Sequence, residues 1–131
     1  TNLTAMGQVT SPLTPTDFGF SIPSGAKISG IVATIIARRE SGSGNVFDLS
    51  VNLVNASGSV DGDNKATQTN LPDSFTSWTY GGSADLWGLT PDASRFNDPN
   101  SGLALVYKKD DSTNAATVGI DNSAEIIYYE L

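Results

Sequence analysis

The chain lacks two residue types on which most enzyme active sites depend: its 131 residues include no histidine and no cysteine. Their absence removes the commonest general base, the thiol nucleophile and the usual zinc ligands. Without cysteine, the stability of the fold also cannot depend on disulfide bonds. These absences favour a binding or structural protein over an enzyme, and no cofactor is predicted.

Positive charge is scarce as well. Seven Lys and Arg residues stand against 14 Asp and Glu residues, which gives a formal net charge of -7. Nucleic-acid phosphates are bound by clustered Lys and Arg side chains, so the composition predicts no nucleic-acid partner. The two basic doublets, Arg38-Arg39 and Lys108-Lys109, are each followed by an acid, and we interpret both as solvated strand ends.

Long apolar runs are missing too. The most apolar stretch covers residues 28–37, whereas a membrane-spanning helix needs about 20 apolar residues. No membrane partner is therefore predicted.

What the chain does contain, after residue 16, is a succession of segments rich in Ile, Val, Phe and Tyr, separated by Gly, Ser, Asn and Asp. This pattern predicts an all-β protein, an antiparallel β-sandwich that is jelly-roll-like with about seven or eight strands. Thr90, as N-cap, and Pro91 at the first helical position predict one short helical turn. The predicted organisation is an extended N-terminal arm at residues 1–16 and a β-sandwich domain at residues 17–131.

The clearest strand signals lie in the first half of the sandwich. Residues 27–40 are apolar on both faces, which is typical of a central strand, and residues 46–55 alternate in polarity. The SGSGN loop between them predicts that the two strands form a hairpin. In the second strand we expect Phe47, Leu49, Val51 and Leu53 to point inward and Asp48, Ser50 and Asn52 to point outward.

The predicted arm contains Pro12 and Pro15, which suit an extended segment better than a central strand. Two interpretations stay open: a loose terminus, or an arm that lies on a neighbouring subunit. Under the second, the candidate partner contacts are its apolar residues Leu3, Met6, Val9 and Leu13.

Asp61-Gly62-Asp63-Asn64 resembles the opening of a calcium-binding loop. Positions 65–76 contain no Glu, so an EF-hand-type site is excluded, and we favour a polar turn. No metal site is predicted, with Asp61 and Asp63 as the only calcium candidates.

Three aromatic residues, Trp78, Tyr80 and Trp87, lie within ten positions of one another. Exposed, they could stack on sugar rings; buried, they would fill the core or a subunit interface, which is the interpretation we favour. The sequence contains no nucleophile elbow and no phosphate-binding loop, so no catalytic residue is predicted.

Several short motifs point to a family. The sharpest is YGGSADLWG at residues 80–88, and others are FGFSIPSGAKISGI at 18–31, DNKA at 63–66, Thr90-Pro91, GLAL at 102–105 and IIYY at 126–129. Together, from Asp17 to Tyr129, they are similar to a β-sandwich domain that recurs in structural proteins of tailed-phage virions.

The resemblance implies a virion component without catalytic residues. A sandwich with only a short arm resembles a capsid decoration (cement) protein, located on the capsid surface, bound to the major capsid protein and assembled as a small homo-oligomer, with a trimer favoured. The alternative is a tail fibre or appendage module that binds a host surface glycan through Trp78, Tyr80 and Trp87, with calcium at Asp61 and Asp63. A glycosidase or lyase is a third class, disfavoured because no carboxylate has a recognisably apolar setting.

Overall fold

The computed structural model describes residues 2–110 and 114–131 and consists mainly of β-strands. Thr1 of the predicted arm lies outside the described residues. The elements are β1 (Asn2–Leu3), β2 (Lys27–Gly42), β3 (Val46–Val54), β4 (Val60–Asp61), β5 (Thr76–Gly82), α1 (Ala93–Asn97), β6 (Gly102–Lys109) and β7 (Ala116–Glu130).

The strands form two antiparallel sheets, in the orders β1-β7-β2-β5 and β4-β3-β6. Residues 9–16 extend the second sheet, because they form antiparallel bridges along the free side of β6. With this segment counted, both sheets have four members, and their strands interleave along the chain as in a jelly roll. The predicted all-β sandwich is therefore confirmed. The bridged pairs are Val9 with Lys108, Leu13 with Leu105 and Thr16 with Gly102.

The predicted hairpin between the first two long strands is wrong. Strand β2 lies between β5 and β7 in one sheet, and β3 lies between β4 and β6 in the other. Both edges of β2 are occupied by these partners, so the glycine-rich loop after it carries the chain across to the opposite sheet. The prediction that β2 is a central strand is confirmed.

The set of β3 side chains that point into the core also differs from the prediction. The register with β6 shifts between Asp48 and Ser50, which marks a β-bulge at Leu49. A bulge adds one residue to one strand and so reverses which side chains face inward beyond it. Val51 and Leu53 are buried as expected, whereas Asp48, predicted to point outward, is buried in the core.

The predicted arm is part of the sandwich. The backbone N–H of Leu13 donates to the carbonyl of Leu105 at 2.9 Å, and the N–H of Leu105 donates back at 2.8 Å. Pro15 accepts a hydrogen bond from the N–H of Leu103 at 3.0 Å. A Cβ on Gly102 would collide with the carbonyl of Pro15, so a glycine is needed where the segment lies closest to β6.

Lys109 is another departure from expectation, because it is buried and not a solvated strand end. Its backbone N–H donates to the carbonyl of Gln8 at 2.9 Å, and its carbonyl accepts from the N–H of Gly7 at 3.1 Å. The N-terminal segment therefore covers the end of β6.

The short helix α1 starts slightly later than predicted. Asp92, and not Thr90, is the N-cap of α1, and its side chain accepts a hydrogen bond from the N–H of Arg95. An aspartate is as good an N-cap as threonine. Within residues 2–110 and 114–131, no helix combines the length and apolar character needed to cross a bilayer.

The N-terminal segment allows a direct test of its role in the fold. Leu3 has 0% of its surface exposed, whereas Met6 in the same segment is 67% exposed. We expect Leu3→Ala to lower the free energy of unfolding by about 2–4 kcal/mol, because it leaves a cavity in the core. Met6→Ala serves as the control and should change it by less than about 0.5 kcal/mol. Chemical denaturation measures both, and equal effects of the two substitutions would contradict the docking of the segment.

Candidate functional site

The seven side chains predicted to contact a partner fall into two groups. Leu3, Tyr80 and Trp87 are buried in the core and present no surface to a partner. The side chains that reach the surface are Met6, Val9 and Leu13, which are exposed, and Trp78, which is half-buried against the core.

The aromatic residues do not form an exposed platform. The indole Nε1 of Trp87 donates to the carbonyl of Ile31 at 3.0 Å, and the hydroxyl of Tyr80 donates to Asp48 at 3.0 Å. Both rings are therefore fixed inside the sandwich. Trp78, Tyr80 and Trp87 therefore do not together form a flat aromatic surface on which a sugar ring could stack, and the favoured interpretation of Tyr80 and Trp87 as core residues is the correct one.

Two of the motifs that carry the sequence resemblance meet around Trp87. This residue has a positive φ of 55°, which is strained for a tryptophan. Its N–H donates to the carboxylate of Asp85 at 2.8 Å, and Asp85 forms an ion pair with Lys65, also at 2.8 Å. The hydrogen bond from Lys65 holds the pKa of Asp85 below its ordinary value. The N–H of Asp63 in turn donates to the carbonyl of Trp87 at 2.8 Å, so these motifs fasten two loops together.

The calcium candidates do not converge on a cation site. Both carboxylate oxygens of Asp61 accept from the guanidinium of Arg95, at 2.6 and 2.7 Å. This pairing lowers the pKa of Asp61 and already satisfies its charge. Across the described part of the chain, no group of three or more acidic, His or Cys side chains is placed to hold a metal ion.

A buried carboxylate that the sequence did not predict lies in the core. Asp48 is 1% exposed. Its oxygens accept from the N–H of Thr67 at 2.8 Å, from the N–H of Thr69 at 3.1 Å and from the Tyr80 hydroxyl. A buried charge is tolerated when hydrogen bonds satisfy it in this way. The cluster joins β3, β5 and the loop that follows β4.

Burial in the core and the charge of Asp48 also affect the pKa values of two nearby tyrosines. Burial, followed by the negative charge of Asp48, raises the pKa of both Tyr80 and Tyr107 above the ordinary value for tyrosine. Both phenols are therefore protonated at physiological pH. Because Asp48 is enclosed and its oxygens are occupied, this cluster stabilises the loop and offers no access to a substrate.

Replacing Asp48 tests how much the cluster contributes to the stability of the fold. We expect Asp48→Ala to lower the free energy of unfolding by about 3 kcal/mol, because it leaves the Tyr80 hydroxyl and two backbone N–H groups without their acceptor. Asp73→Ala is the matched control, since its side chain is 82% exposed. Thermal unfolding of both variants measures the difference, and a variant at Asp48 as stable as the control would refute the role of this carboxylate.

Glu125 is a second acid with an unusual setting. It faces Ala33 across the β2–β7 pairing, and facing residues on antiparallel strands project to the same side of the sheet. Since Ala33 is in the core, Glu125 points toward the inner side of the sandwich. Its Oε1 atom is buried and has no hydrogen-bond partner among the described residues. Burial raises the pKa of Glu125 to about 7, while the charge of Arg95 opposes the shift.

This raised pKa predicts a stability that falls with pH. Because the folded state binds the Glu125 proton more tightly than the unfolded chain, the free energy of unfolding decreases from about pH 4.5 to about pH 7 and then levels off. We expect Glu125→Gln to be more stable than the natural chain at pH 8, by up to about 3 kcal/mol, and equally stable near pH 4. Unfolding curves at several pH values measure this, with Glu130→Gln as an exposed control. A difference that did not depend on pH would contradict the prediction.

The exposed part of the N-terminal segment borders a groove. It is lined by Thr10, Ser11 and Leu13 of the segment, by Tyr107 of β6, and by Val118 and Ile120 of β7. The groove has a volume of about 160 Å³. All the residues that line it are uncharged, although the chain has a net charge of -7. This groove, with the exposed Val9 on the same segment, is a surface suited to an apolar partner.

A scan against protein-family models found no matching family, and searches among curated proteins and among solved structures found no significant match.

Proposed function

We propose that the chain is a non-enzymatic structural protein of a phage virion, a capsid decoration protein that binds the major capsid protein and stabilises the outer shell. The observation that carries the proposal is the uncharged groove between residues 10–13 and β7, flanked by Val9 and Leu13, on a protein that is otherwise acidic. An apolar patch of this kind is typical of a surface that binds another protein.

The rigidity of this surface supports the proposal. The segment that carries Val9 and Leu13 is held to β6 by backbone hydrogen bonds on both sides of Pro12. A preformed surface loses little conformational entropy on binding. The jelly-roll order of the strands is also found in viral capsid domains, although fold alone does not fix function.

The proposed mechanism is mechanical. A protein that binds only the assembled shell stabilises that shell by mass action. Copies bound around the particle, each as a small homo-oligomer contacting neighbouring capsid subunits, would add their effects through multivalency. The groove needs no charge complementarity for this purpose, because apolar burial supplies most of the free energy of binding.

The glycan-binding alternative has less support. It requires an exposed platform of Trp78, Tyr80 and Trp87, and two of these three side chains are buried. It also invokes calcium at Asp61, whose carboxylate is paired with Arg95. No described feature specifically favours it over binding to a protein surface.

The test uses virions of the phage that encodes the chain, prepared with and without the gene. We expect virions that lack the protein to release their DNA at a lower temperature than complete virions. When the salt concentration is lowered in steps, they should release their DNA at a higher salt concentration than complete virions do. Adding back purified protein should restore resistance. Virions without the protein that withstand heat and low salt as well as complete ones would overturn the proposal.

Matched variants locate the contact surface. Leu13→Asp places a charge at the groove and should fail to restore resistance in the add-back experiment. Val60→Asp changes an exposed apolar residue on the far edge of the second sheet and should restore it fully. If both variants restored resistance equally, the groove would not be the capsid-binding surface.

A further inference from the structure

Strand β7 has an open edge along most of its length. On the side away from β2, β1 pairs with β7 only at Ala116 and Thr117. Within residues 2–110 and 114–131, no other backbone pairing reaches that edge at residues 118–130. In this sheet the neighbouring position belongs to β1, which has only two residues. The edge therefore presents unpaired backbone donors and acceptors.

This edge has only some of the features that prevent strand pairing. Proteins protect exposed edges with bulges, inward-pointing charges, lysine, proline or a covering segment. The β7 edge has a bulge at Asp121 and the inward-pointing Glu125. Residues 118–130 contain no lysine, arginine or proline. By contrast, the edge of the second sheet beside β6 is covered by residues 9–16, which include Pro12 and Pro15. The contrast indicates that the β7 edge is available for pairing.

We propose that the β7 edge pairs with the same edge of a second copy of this chain across a twofold axis, which joins the two four-stranded sheets into one continuous sheet. A strand related to itself by a twofold axis runs antiparallel to its copy, as all the strand pairs of this fold do. The contact is self-complementary and closes both open edges at once.

The register follows from the shape of the strand. The pairing of β7 with β2 is irregular at Asp121, so the regular part of the edge runs over residues 122–130. Equivalent hydrogen bonds on both sides of the axis require one residue to face its own copy. When that residue is Ile126, Asn122 faces Glu130 and the whole regular edge is paired.

The distribution of charge is compatible with the same register. Two copies with a net charge of -7 repel each other, and like charges directly opposite destabilise a strand pair. With Ile126 at the axis, Glu125 faces Ile127 and Asp121 faces Leu131, so no acid faces an acid. Moving the axis to Glu125 would place that carboxylate against its own copy. Strand β7 ends at Glu130, which would face Asn122, so the paired strands do not reach Ala116 and Thr117, where β1 is paired.

Apolar side chains on the strand would gain from the pairing. Ile126 is 50% exposed, and Tyr128 and Tyr129 are exposed as well. In the proposed register Tyr128 faces Ala124, so a large side chain packs over a small one. Each such cross-strand pair adds to the stability of the joined sheet.

Sedimentation equilibrium of the purified chain over a range of concentrations tests the proposal without any capsid. The inference concerns copies of this chain alone, so its failure would leave the capsid experiment unaffected. We expect a monomer–dimer equilibrium, in place of the trimer favoured by the sequence interpretation. A monomer at every concentration, or a trimer, would overturn the proposed pairing.

Charged substitutions at residue 126 make the test specific for the proposed register. We expect Ile126→Lys and Ile126→Glu each to raise the dimer dissociation constant at least about tenfold, because like charges then face each other. An equimolar mixture of the two variants should recover the dimer, because opposite charges then face. Val60→Lys, at an exposed residue of β4, is the control and should dimerise normally. A dimer that is indifferent to the charge at residue 126 would refute the register.

A cross-link provides an independent measurement. The chain has no native cysteine, so Ile126→Cys introduces a single thiol. Facing residues of antiparallel strands have Cα atoms about 4.5–5.5 Å apart, within the range that a disulfide spans. We expect Ile126→Cys to form a disulfide-linked dimer on mild oxidation, and Tyr128→Cys, which would face Ala124, to remain largely unlinked. The reverse result would place the axis elsewhere and overturn the proposal.

Discussion

The backbone pairing of the N-terminal segment with the last two strands is the constraint on which the rest of the structure depends. Residues 2–3 pair with β7 in one sheet, and residues 9–16 pair with β6 in the other. The segment thus connects the two sheets at one side of the sandwich, with Leu3 buried as its anchor. Backbone groups on an uncovered β6 would need water as their partner, and Lys109 would lose its cover. The candidate capsid-binding groove exists only because this segment is held in place beside β7.

Polar clusters determine the positions of the loops between the strands. Asp48 fixes the loop after β4 through the amides of Thr67 and Thr69. The ion pair between Lys65 and Asp85 fixes the loop around Trp87, and the indole of Trp87 is hydrogen-bonded to β2. Buried hydrogen bonds of this kind contribute modestly when made and cost much more when broken, so they select one arrangement of the loops. A rigid framework is what a protein needs if it works by fitting against another surface.

The sequence predicted local structure better than the relations between distant elements. The apolar pattern of residues 27–40 and the alternation of residues 46–55 predict the two long strands, because the pattern of side chains along a strand is a local property. Their assignment to one hairpin was wrong, because sheet membership depends on strands far along the chain. The bulge at Leu49 left no recognisable signal in the alternating pattern, so the burial of Asp48 was not foreseen. The helix start was misplaced by two residues, because Thr90 and Asp92 are both suitable N-caps.

The candidate surface was only partly predictable for the same reason. Met6, Val9 and Leu13 are exposed as expected of partner contacts, but nothing in the sequence distinguished them from the buried Leu3. That distinction arises from the geometry of the segment on β6 and β7. The burial of Tyr80 and Trp87 followed the general preference of large aromatic residues for the core. Glu125 has no sequence signal at all, because its pKa depends on the position of its carboxyl group at the inner side of the sandwich.

The order in which these pairings can arise has a consequence for the synthesis of the protein. Residues 2–16 are translated well before their partners in β6 and β7. The second sheet cannot be completed until β6 has been made, and the first cannot be completed until β7 has been made. Pairings between residues that are far apart in the sequence are also slow to form, because they close large loops. The nascent polypeptide therefore waits with unpaired strands exposed, and its yield in the cell should depend on chaperone protection during that interval.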